Sequence, residues 1–467
     1  MNISRITVPV AAFLILMNPI GSCAQQQSRV RGWEDLPRIM ESITPTAFPD
    51  RSLSILAFGA VGDGSTDCTR AFRSAIDSCS AACGGRVIAP AGRYLTGAIH
   101  LKSNVNLVVQ KDAVVLFSTD PNDYLPVVYT RWEGVECMNY SPLIYAYEQS
   151  NIAVTGEGTL DGQGASNNWW SWNGKEIYGW KEGMPNQRAA RKQLFEMAEQ
   201  GIPVAQRVFG DGFYLRPNFF QPYKCTNILV QGVTFRDSPM WFLHPVLSRN
   251  ISILNVTVVG LGPNNDGCDP ESSSDILIQG CLFDTGDDCI AIKAGRNADG
   301  RRLAMPSENI VVRNCTMKDG HGGVVIGSEM TGGVRNVFAE DCRMDSPNLD
   351  RALRIKTNAV RGGVVENVFF RNVTIGQVKE SILMINYYYE EGDKGSFLPT
   401  VRNVVMENVV SSRSEYGVWI KGFPNAQPSD IILRDCTFGN VEKGNLIENA
   451  KSVMFTNVRI NGELTTK

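Results

Sequence analysis

The sequence predicts an all-β protein, a single domain wound as a right-handed parallel β-helix with a short capping helix at its N-terminal end. Three observations predict this fold. A short strand-like phrase recurs along the chain, apolar residues alternate inside it, and 44 glycines suit a fold with many turns. The length of 467 residues is large for one compact domain but normal for a solenoid.

The recurring phrase reads Asn or Asp, Ile or Val, any residue, an apolar residue, two further residues, then Val or Cys. Its copies begin at Asn227, Asn250, Asp275, Asn309, Asn336, Asn367, Asn403, Asp430 and Ser452, about 22 to 36 residues apart. Such spacing is typical of solenoid coils, and the period of two indicates half-buried strands. Each coil is therefore expected to pair with its neighbours at about 4.8 Å.

The twelve cysteines are interpreted through the same repeat. The seventh position of the phrase holds Val233, Val256, Cys281, Cys315, Cys342, Val373, Val409, Cys436 and Val458. Because cysteine alternates there with valine, we interpret it as a small buried apolar residue rather than half of a disulfide. Cys79 and Cys83, on a predicted helix, are better candidates for a disulfide.

Two segments depart from the repeat. The segment Thr66-Asp67-Cys68-Thr69 predicts the start of a helix running to about Ala82 and ended by Gly84-Gly85. An amphipathic helix there would cap the open first coil. Residues 162–222 contain four tryptophans and are too long for a turn, so we expect an insertion over one end of a groove. Its tryptophans either stack on sugars or pack structurally.

The first 24 residues are typical of an export signal. Arg5 begins it, and Val8 to Met17 form an apolar stretch too short to span a bilayer. Cleavage after Ala24 is one prediction, and lipidation of Cys23 in a lipobox-like Ile20-Gly21-Ser22-Cys23 is the alternative. A lead-in segment, 25–52, then precedes the β-helix domain, 53–467.

Export and charge narrow the setting in which the chain works. We expect it in the periplasm or at the outer membrane of a Gram-negative bacterium, or alternatively outside the cell. The net charge of −3 gives no indication of a nucleic-acid partner, and we expect none. We expect a monomer.

Polar residues follow the strand phrase in successive coils, at similar offsets. They are Asn264-Asn265-Asp266, then Asp287-Asp288, His321 between glycines, Arg354-Ile355-Lys356, and Tyr389. Carboxylates on neighbouring coils repel one another, which raises at least one pKa. Glycoside hydrolysis needs one protonated and one ionised carboxyl, and a cation pair suits a substrate carboxylate.

Other interpretations exist for each residue taken alone. Asp266 is of a type common in turns, Asp287-Asp288 could hold calcium, and Arg354 could pair with Asp350. His321 could likewise be a turn residue. Their joint occurrence on successive coils favours the catalytic interpretation.

These motifs resemble those of the polygalacturonase family, glycoside hydrolase family 28. The family pattern of Asn-Thr-Asp, Asp-Asp, Gly-His-Gly and Arg-Ile-Lys occurs in the same order, and the resemblance covers residues 53–465. One departure is Asn265 in place of threonine, which we expect to alter subsite preference at most. The resemblance implies a pectin-lyase-like solenoid that acts on pectin or oligogalacturonides without a metal or organic cofactor.

The resemblance also implies roles for single residues. Asp288 would be the general acid of an inverting hydrolysis, and Asp266 with Asp287 would activate water. His321 would tune Asp288 or contact the substrate. The cations Arg354 and Lys356, together with Tyr389 and Asn264, would hold the substrate. His244 is a candidate for a further substrate contact.

Similarity to bacterial exo-acting members favours release of galacturonic acid from a chain end. It rests on the Asp269-Pro270 extension, the run from Tyr389 to Asp393, and the insertion 162–222. An endo-acting enzyme and a hydrolase of rhamnogalacturonan-type oligosaccharides are the alternatives. Remoter alternatives are a calcium-dependent pectate lyase and a non-catalytic carbohydrate-binding β-helix.

Overall fold

The computed structural model describes residues 32–466. The predicted export signal and Cys23 lie outside the described residues. Within them, the strands form parallel ladders between successive coils, and the fold is the expected right-handed parallel β-helix. No helix in this part of the chain combines the length and apolarity needed to cross a membrane.

One face and one bend of every coil belong to a 25-stranded sheet, called here the large sheet. Its strands are Ser52–Ser54, Asp63–Asp67, Gly85–Ala89, Gly92–Thr96, Val105–Val109, Ala113–Phe117, Ser150–Gly156, Thr159–Asp161, Thr226–Gln231, Thr234–Arg236, Arg249–Leu254, Thr257–Gly260, Ser274–Gln279, Leu282–Thr285, Ser307–Arg313, Thr316–Met317, Val334–Glu340, Arg343–Met344, Val364–Ile375, Thr400–Ser411, Ser429–Arg434, Thr437–Phe438, Lys451–Thr456, Val458–Ile460 and Glu463–Thr465.

The opposite face of the coils carries shorter strands. A six-stranded sheet, called here the site sheet, contains Ile290–Ile292, Val324–Ile326, Arg351–Lys356, Ser381–Asn386, Tyr416–Lys421 and Leu446–Glu448. A three-stranded sheet contains Ile99–His100, Ile144–Tyr147 and Phe220–Tyr223, and Val128–Trp132 pairs with Val135–Asn139 as a hairpin.

Helices are few and lie outside the coils. The α-helices are α1 (Leu36–Ser42), α2 (Thr69–Ala81), α3 (Arg188–Glu199) and α4 (Asn297–Leu303). The 3₁₀ helices are Trp33–Asp35, Ile55–Phe58, Pro121–Tyr124, Trp169–Asn173, Glu176–Tyr178 and Val204–Gln206. The predicted capping helix is confirmed as α2, whose Phe72, Ile76 and Cys79 are buried against the first coils.

The first residue of the repeated phrase explains how each coil bends into the large sheet. Each copy begins in the left-handed backbone region, as at Asn250 (φ 57°) and Asn309 (φ 57°). Asparagine and aspartate tolerate this region better than other side-chain-bearing residues. Their amides also bond along the axis, as from Asn336 Nδ2 to Asn309 Oδ1 at 3.0 Å. The phrase is therefore a bend signal joined to a strand signal.

The cysteine interpretation is confirmed for the repeat and wrong for Cys79 and Cys83. Every seventh-position residue from Val233 to Val458 is buried. All cysteines in the described residues are free thiols, including Cys79 inside the core and Cys83 on the surface. The disulfide prediction failed because α2 turns Cys79 towards the coils and leaves Cys83 beyond the helix end.

The lead-in segment, from residue 33 to residue 51, lies along the outside of the large sheet. Trp33 packs edge-on against Phe338 at 5.4 Å between ring centroids. Further along, Thr44 N donates to Asn250 Oδ1 at 2.9 Å, and the carbonyl of Ala47 accepts from Asn151 at 2.8 Å. The segment thus crosses several coils from later to earlier ones.

Candidate active site

The register of the site sheet brings the predicted residues together. Ile290 pairs with Val324, which pairs with Leu353, and isolated bridges continue the ladder from Ile290 back to Cys268. Asp266 and Asp288 each lie two residues before their ladder position, so they occupy equivalent places on adjacent coils. Lys293 and Lys356 lie three residues after theirs.

Three carboxylates meet where these coils enter the site sheet. One oxygen from each of Asp266, Asp287 and Asp288 lies within 4.8 Å of the other two. Asp266 and Asp288 are buried, whereas Asp287 retains 18% of its side-chain exposure. A cluster of this kind suits acid–base chemistry because the three groups cannot all be ionised at equal cost.

Asp288 is held as a carboxylate by two cations. Lys356 Nζ lies 2.7 Å from its Oδ2, and Arg354 Nη1 lies 3.2 Å from its Oδ1. Burial acts to raise the pKa of Asp288, but Lys356 and Arg354 together hold it below the ordinary value. The Lys356 ammonium also lies 5.2 Å from the ring centroid of Tyr389, close enough for a cation–π contact.

Asp266 is in the opposite electrostatic situation. Burial, together with the charges of Asp287 and Asp269, raises the pKa of Asp266 well above its ordinary value. Its Oδ1 is buried without a hydrogen-bond partner, and its Oδ2 lies 3.5 Å from Lys293 Nζ. The expected rise in one carboxyl pKa therefore falls on Asp266 rather than on Asp288.

His321 is bonded to the third carboxylate. Its Nδ1 lies 2.9 Å from Asp287 Oδ1. This hydrogen bond and the charge of Asp287 raise the pKa of His321 to about 9. Burial acts against ionisation of Asp287, but the bond to His321 lowers the pKa of Asp287. The pair is therefore imidazolium and carboxylate at neutral pH.

Lys293 lies among the carboxylates of the pocket and was missed by the sequence reasoning. Its ammonium lies 3.3 Å from Asp269 and 3.4 Å from Glu329, in addition to its contact with Asp266. It also lies 4.3 Å from the ring centroid of Trp241. Burial raises the pKa of Asp269 to about 8, although Lys293 opposes the rise. The sequence signal that could have identified Lys293 is its position directly after the apolar run that follows Asp288.

A network of ion pairs lines the pocket beside these carboxylates. It is called here the end wall and consists of Glu133, Arg191, Glu329 and Glu390, joined by Arg296. Glu133 Oε2 lies 2.8 Å from Arg191 and 3.8 Å from Arg296. Arg296 also reaches Glu329 at 3.1 Å and Glu390 at 3.4 Å. These residues come from the hairpin turn, helix α3, and three loops, so no local motif marked them.

The insertion 162–222 contributes to both the end wall and the pocket. Its helix α3 supplies Arg191, and its Arg216 donates to Asn264 Oδ1 at 2.7 Å. Two of its tryptophans, Trp169 and Trp170, are structural in this arrangement. Trp169 is buried in the core, and the ring nitrogen of Trp170 donates to the carbonyl of Ser238 at 2.9 Å. Packing, not sugar stacking, is the interpretation that the structure favours.

The prediction that His244 contacts substrate is wrong. Its side chain is fully buried, with Nε2 2.8 Å from Glu271 and Nδ1 2.9 Å from both Asn218 and Gln221. Its ring packs edge-on against Trp241, which lines the pocket. His244 therefore packs behind Trp241 and does not itself reach the pocket.

Asn265, which stands where the family pattern has threonine, lies away from the pocket. Its Nδ2 donates to the carbonyls of Ser238 and Met240, both at 3.0 Å, and its Oδ1 accepts from Gly262 N at 2.9 Å. The residue is fully buried. It fixes the loop that carries Asp266 and does not face the pocket.

On the other side of the carboxylates the surface stays open. A cleft lined by Gly286, His321, Asp350 and Lys379 runs on towards Arg413. Asp350 pairs there with Arg351 at 3.3 Å, and not with Arg354 as the alternative interpretation supposed. The cleft therefore meets the pocket at the bond between His321 and Asp287.

Comparisons with known proteins agree on one family. Residues 212–458 match the family described as "Glycosyl hydrolases family 28". A hyperthermoactive exopolygalacturonase from Thermotoga maritima is 47% identical in sequence, with a TM-score of 0.90 over 92% of this chain and 96% of that one. An exo-poly-alpha-D-galacturonosidase from Dickeya chrysanthemi is 27% identical over 91% of this chain and 76% of its own length. A probable polygalacturonase from Vitis vinifera is 29% identical over 98% and 85% respectively.

Proposed function

The chain belongs to glycosyl hydrolases family 28, and we propose that it is an exo-acting polygalacturonase that removes single galacturonic acid residues from pectin chains. The observation that carries the exo assignment is the end wall. Its ion pairs bound the pocket on one side of the carboxylates, while the cleft on the other side is open. A bounded pocket accommodates a chain end, whereas a through-going groove would accept any internal bond.

In the proposed reaction, Asp288 protonates the glycosidic oxygen while Asp266 and Asp287 activate a water molecule. Asp266 and Asp287 line the same pocket, which favours two carboxylates acting on one water over a single nucleophile. Their oxygens lie within 4.8 Å of that of Asp288, a short separation for an inverting pair. Inversion is therefore tested by ¹H NMR: the first anomer released should be β-galacturonic acid, and initial release of the α anomer would contradict it.

The end wall also supports a choice of chain end. The pocket contains Asp266 and Asp287, so the sugar attacked by water is the sugar that occupies it. The leaving chain then extends along the open cleft past His321. We infer that the released residue comes from the non-reducing end.

Export remains part of this proposal. Pectin is a large extracellular polymer, so an enzyme that shortens its fragments is best placed in the periplasm, at the outer membrane or outside the cell. Radiolabelled palmitate distinguishes these settings: a lipid anchor predicts label that Cys23→Ser removes. An unlabelled protein with an N-terminus at residue 25 supports plain cleavage.

The assignment is tested by a product time course from de-esterified polygalacturonate with chelator present. Monomeric galacturonic acid should be the only product from the earliest time, and Asp288→Asn should be inactive. A ladder of oligomers would contradict exo action. An ultraviolet-absorbing unsaturated product would indicate a lyase, and binding without any cleavage would indicate a non-catalytic β-helix.

A further inference from the structure

In the free protein, the proposed general acid is in the wrong state for its task. Both carboxylate oxygens of Asp288 face cations, Lys356 at 2.7 Å and Arg354 at 3.2 Å. A carboxyl with two such partners stays ionised and has no proton to donate. The side chain is fully buried, so solvent does not weaken these pairs.

The proposed base, Asp266, is protonated in the free protein, so it cannot yet accept a proton from water. Asp266 Oδ1 is buried without a partner, which is the environment of a protonated carboxyl rather than of a carboxylate. Its one nearby cation, Lys293, is shared with Asp269 and Glu329. The proton of the pair thus lies with Asp266, within 4.8 Å of Asp288.

We propose that the carboxylate of the leaving-side galacturonate draws Arg354 and Lys356 away from Asp288, and that the proton on Asp266 then passes to Asp288. The inference rests on the proposed function and deepens it. The two cations are placed for such an exchange. Lys356 lines the pocket, and Arg354 lies beside Gly322, the neighbour of His321 in the open cleft. Their charged groups lie 5.2 Å and 5.6 Å from the ring of Tyr389. Substrate charge would then switch the catalytic pair on.

The proton balance of this cycle closes without an outside donor. Before the reaction, Asp266 is protonated and Asp288 is ionised. Substrate binding transfers that proton to Asp288, which gives it to the glycosidic oxygen as the glycosidic bond breaks. The attacking water forms the new bond to the anomeric carbon and loses a proton to Asp266. The free state is thereby regenerated.

The other charged groups around Asp288 fit this account. Those that act on it are the acids Asp266, Asp269 and Asp287 and the bases Lys293, His321 and Arg351, besides the two cations that bind it. Asp287 and, once its proton has left, Asp266 favour a proton on Asp288, while Lys293 is already held by its own carboxylates. Removing Arg354 and Lys356 therefore tips the balance towards protonation.

The inference predicts selectivity in the rate of catalysis and not only in binding. A neutral leaving sugar, such as a methyl-esterified galacturonate, would leave Asp288 paired with its cations. The basic limb of the pH–rate profile would then lie at lower pH than with a charged leaving sugar. Above that limb, each pH unit of displacement lowers the rate about tenfold.

The test compares single-turnover rates on digalacturonate and on digalacturonate methyl-esterified at the reducing-side unit, between pH 4 and pH 7. The wild type should show an earlier basic limb on the ester. Lys356→Met should narrow the rate difference between the two substrates, because its Asp288 has lost one cation. Lys421→Met is the matched control: it lies two coils along the same ladder and should leave the difference unchanged.

Equal limbs for both substrates in the wild type, with a difference in KM alone, would overturn the inference. So would a Lys356→Met variant that slows both substrates by the same factor, since that is the result of simple damage. Failure to cleave digalacturonate at all would instead overturn the proposed function, so the two failures are distinguishable.

Discussion

Replacing Lys293 with methionine should destabilise the protein strongly, because this one ammonium serves three buried carboxyls. Its nitrogen lies 3.3 Å from Asp269, 3.4 Å from Glu329 and 3.5 Å from Asp266, and the lysine is 3% exposed in its side chain. Methionine has a similar length and shape, so it removes the charge without opening a large cavity.

The magnitude follows from what remains after the charge is removed. Each contact at this distance is worth about 5 kcal/mol of Coulomb energy at an effective dielectric constant near 20, before the cost of burying the lysine is subtracted. Truncating one member of a buried ion pair typically costs about 3–5 kcal/mol. Asp266 and Asp269 limit the loss, because burial raises the pKa of both and a protonated carboxyl does not need the ammonium as a counter-ion. We expect the free energy of unfolding to fall by about 3–5 kcal/mol.

Denaturant unfolding followed by circular dichroism measures this difference. The control is Lys421→Met on the site sheet, where the lysine is 39% exposed and 3.5 Å from Glu448. That pair is screened by solvent, so its loss should cost less than about 1 kcal/mol. If Lys293→Met falls within 1 kcal/mol of the wild type, the ammonium does not stabilise the carboxyl cluster and the reasoning is refuted.

Four further results are expected. NMR titration of the three histidines should show His321 charged up to about pH 9, and His244 neutral because burial lowers its pKa. The ion pair between His321 and Asp287 should stabilise the fold fully below pH 6.5, the ordinary pKa of histidine. This stabilisation should be lost as the pH rises through 9. A chemical shift typical of neutral imidazole for His321 at pH 7 would contradict this. Arg191→Met, which leaves an end-wall carboxylate without its 2.8 Å partner, should raise KM for oligogalacturonides and allow some dimer release, measured by chromatography of early products. Cys315→Val should change the free energy of unfolding by less than about 1 kcal/mol, as the position alternates between these two residues along the coils. Activity should be equal with and without chelator, because Lys356, Arg354 and Lys293 already neutralise the carboxylates. Loss of activity on chelation would show that the enzyme needs a metal ion.

The fold could be predicted because each coil repeats one bend residue and one alternating strand. The left-handed Asn or Asp that starts the phrase is specified locally, and stacking identical phrases fixes the register. That register then placed the carboxylates of Asp266 and Asp288 on adjacent coils. The spacing of the repeat along the sequence was therefore enough to predict which side chains are neighbours in the site.

The remaining features depend on contacts that the repeat does not encode. The end wall joins five separate segments, and residues such as Glu133 and Arg296 lie in no motif. His244 was misjudged because its neighbours in Trp241-Phe242-Leu243-His244 indicate a buried strand, where a histidine serves a polar network. The ion pairs of Asp288 in the free protein likewise required the distances themselves.

Hexagalacturonate carrying ¹⁸O at its reducing end provides the most direct test of the central claim, that a bounded pocket admits only the non-reducing end of the chain. Mass spectrometry of the earliest products should detect unlabelled galacturonic acid and labelled pentamer. Labelled monomer, or labelled dimer and trimer appearing together with their unlabelled counterparts, would contradict the account, since the first requires attack at the reducing end and the second requires cleavage inside the chain.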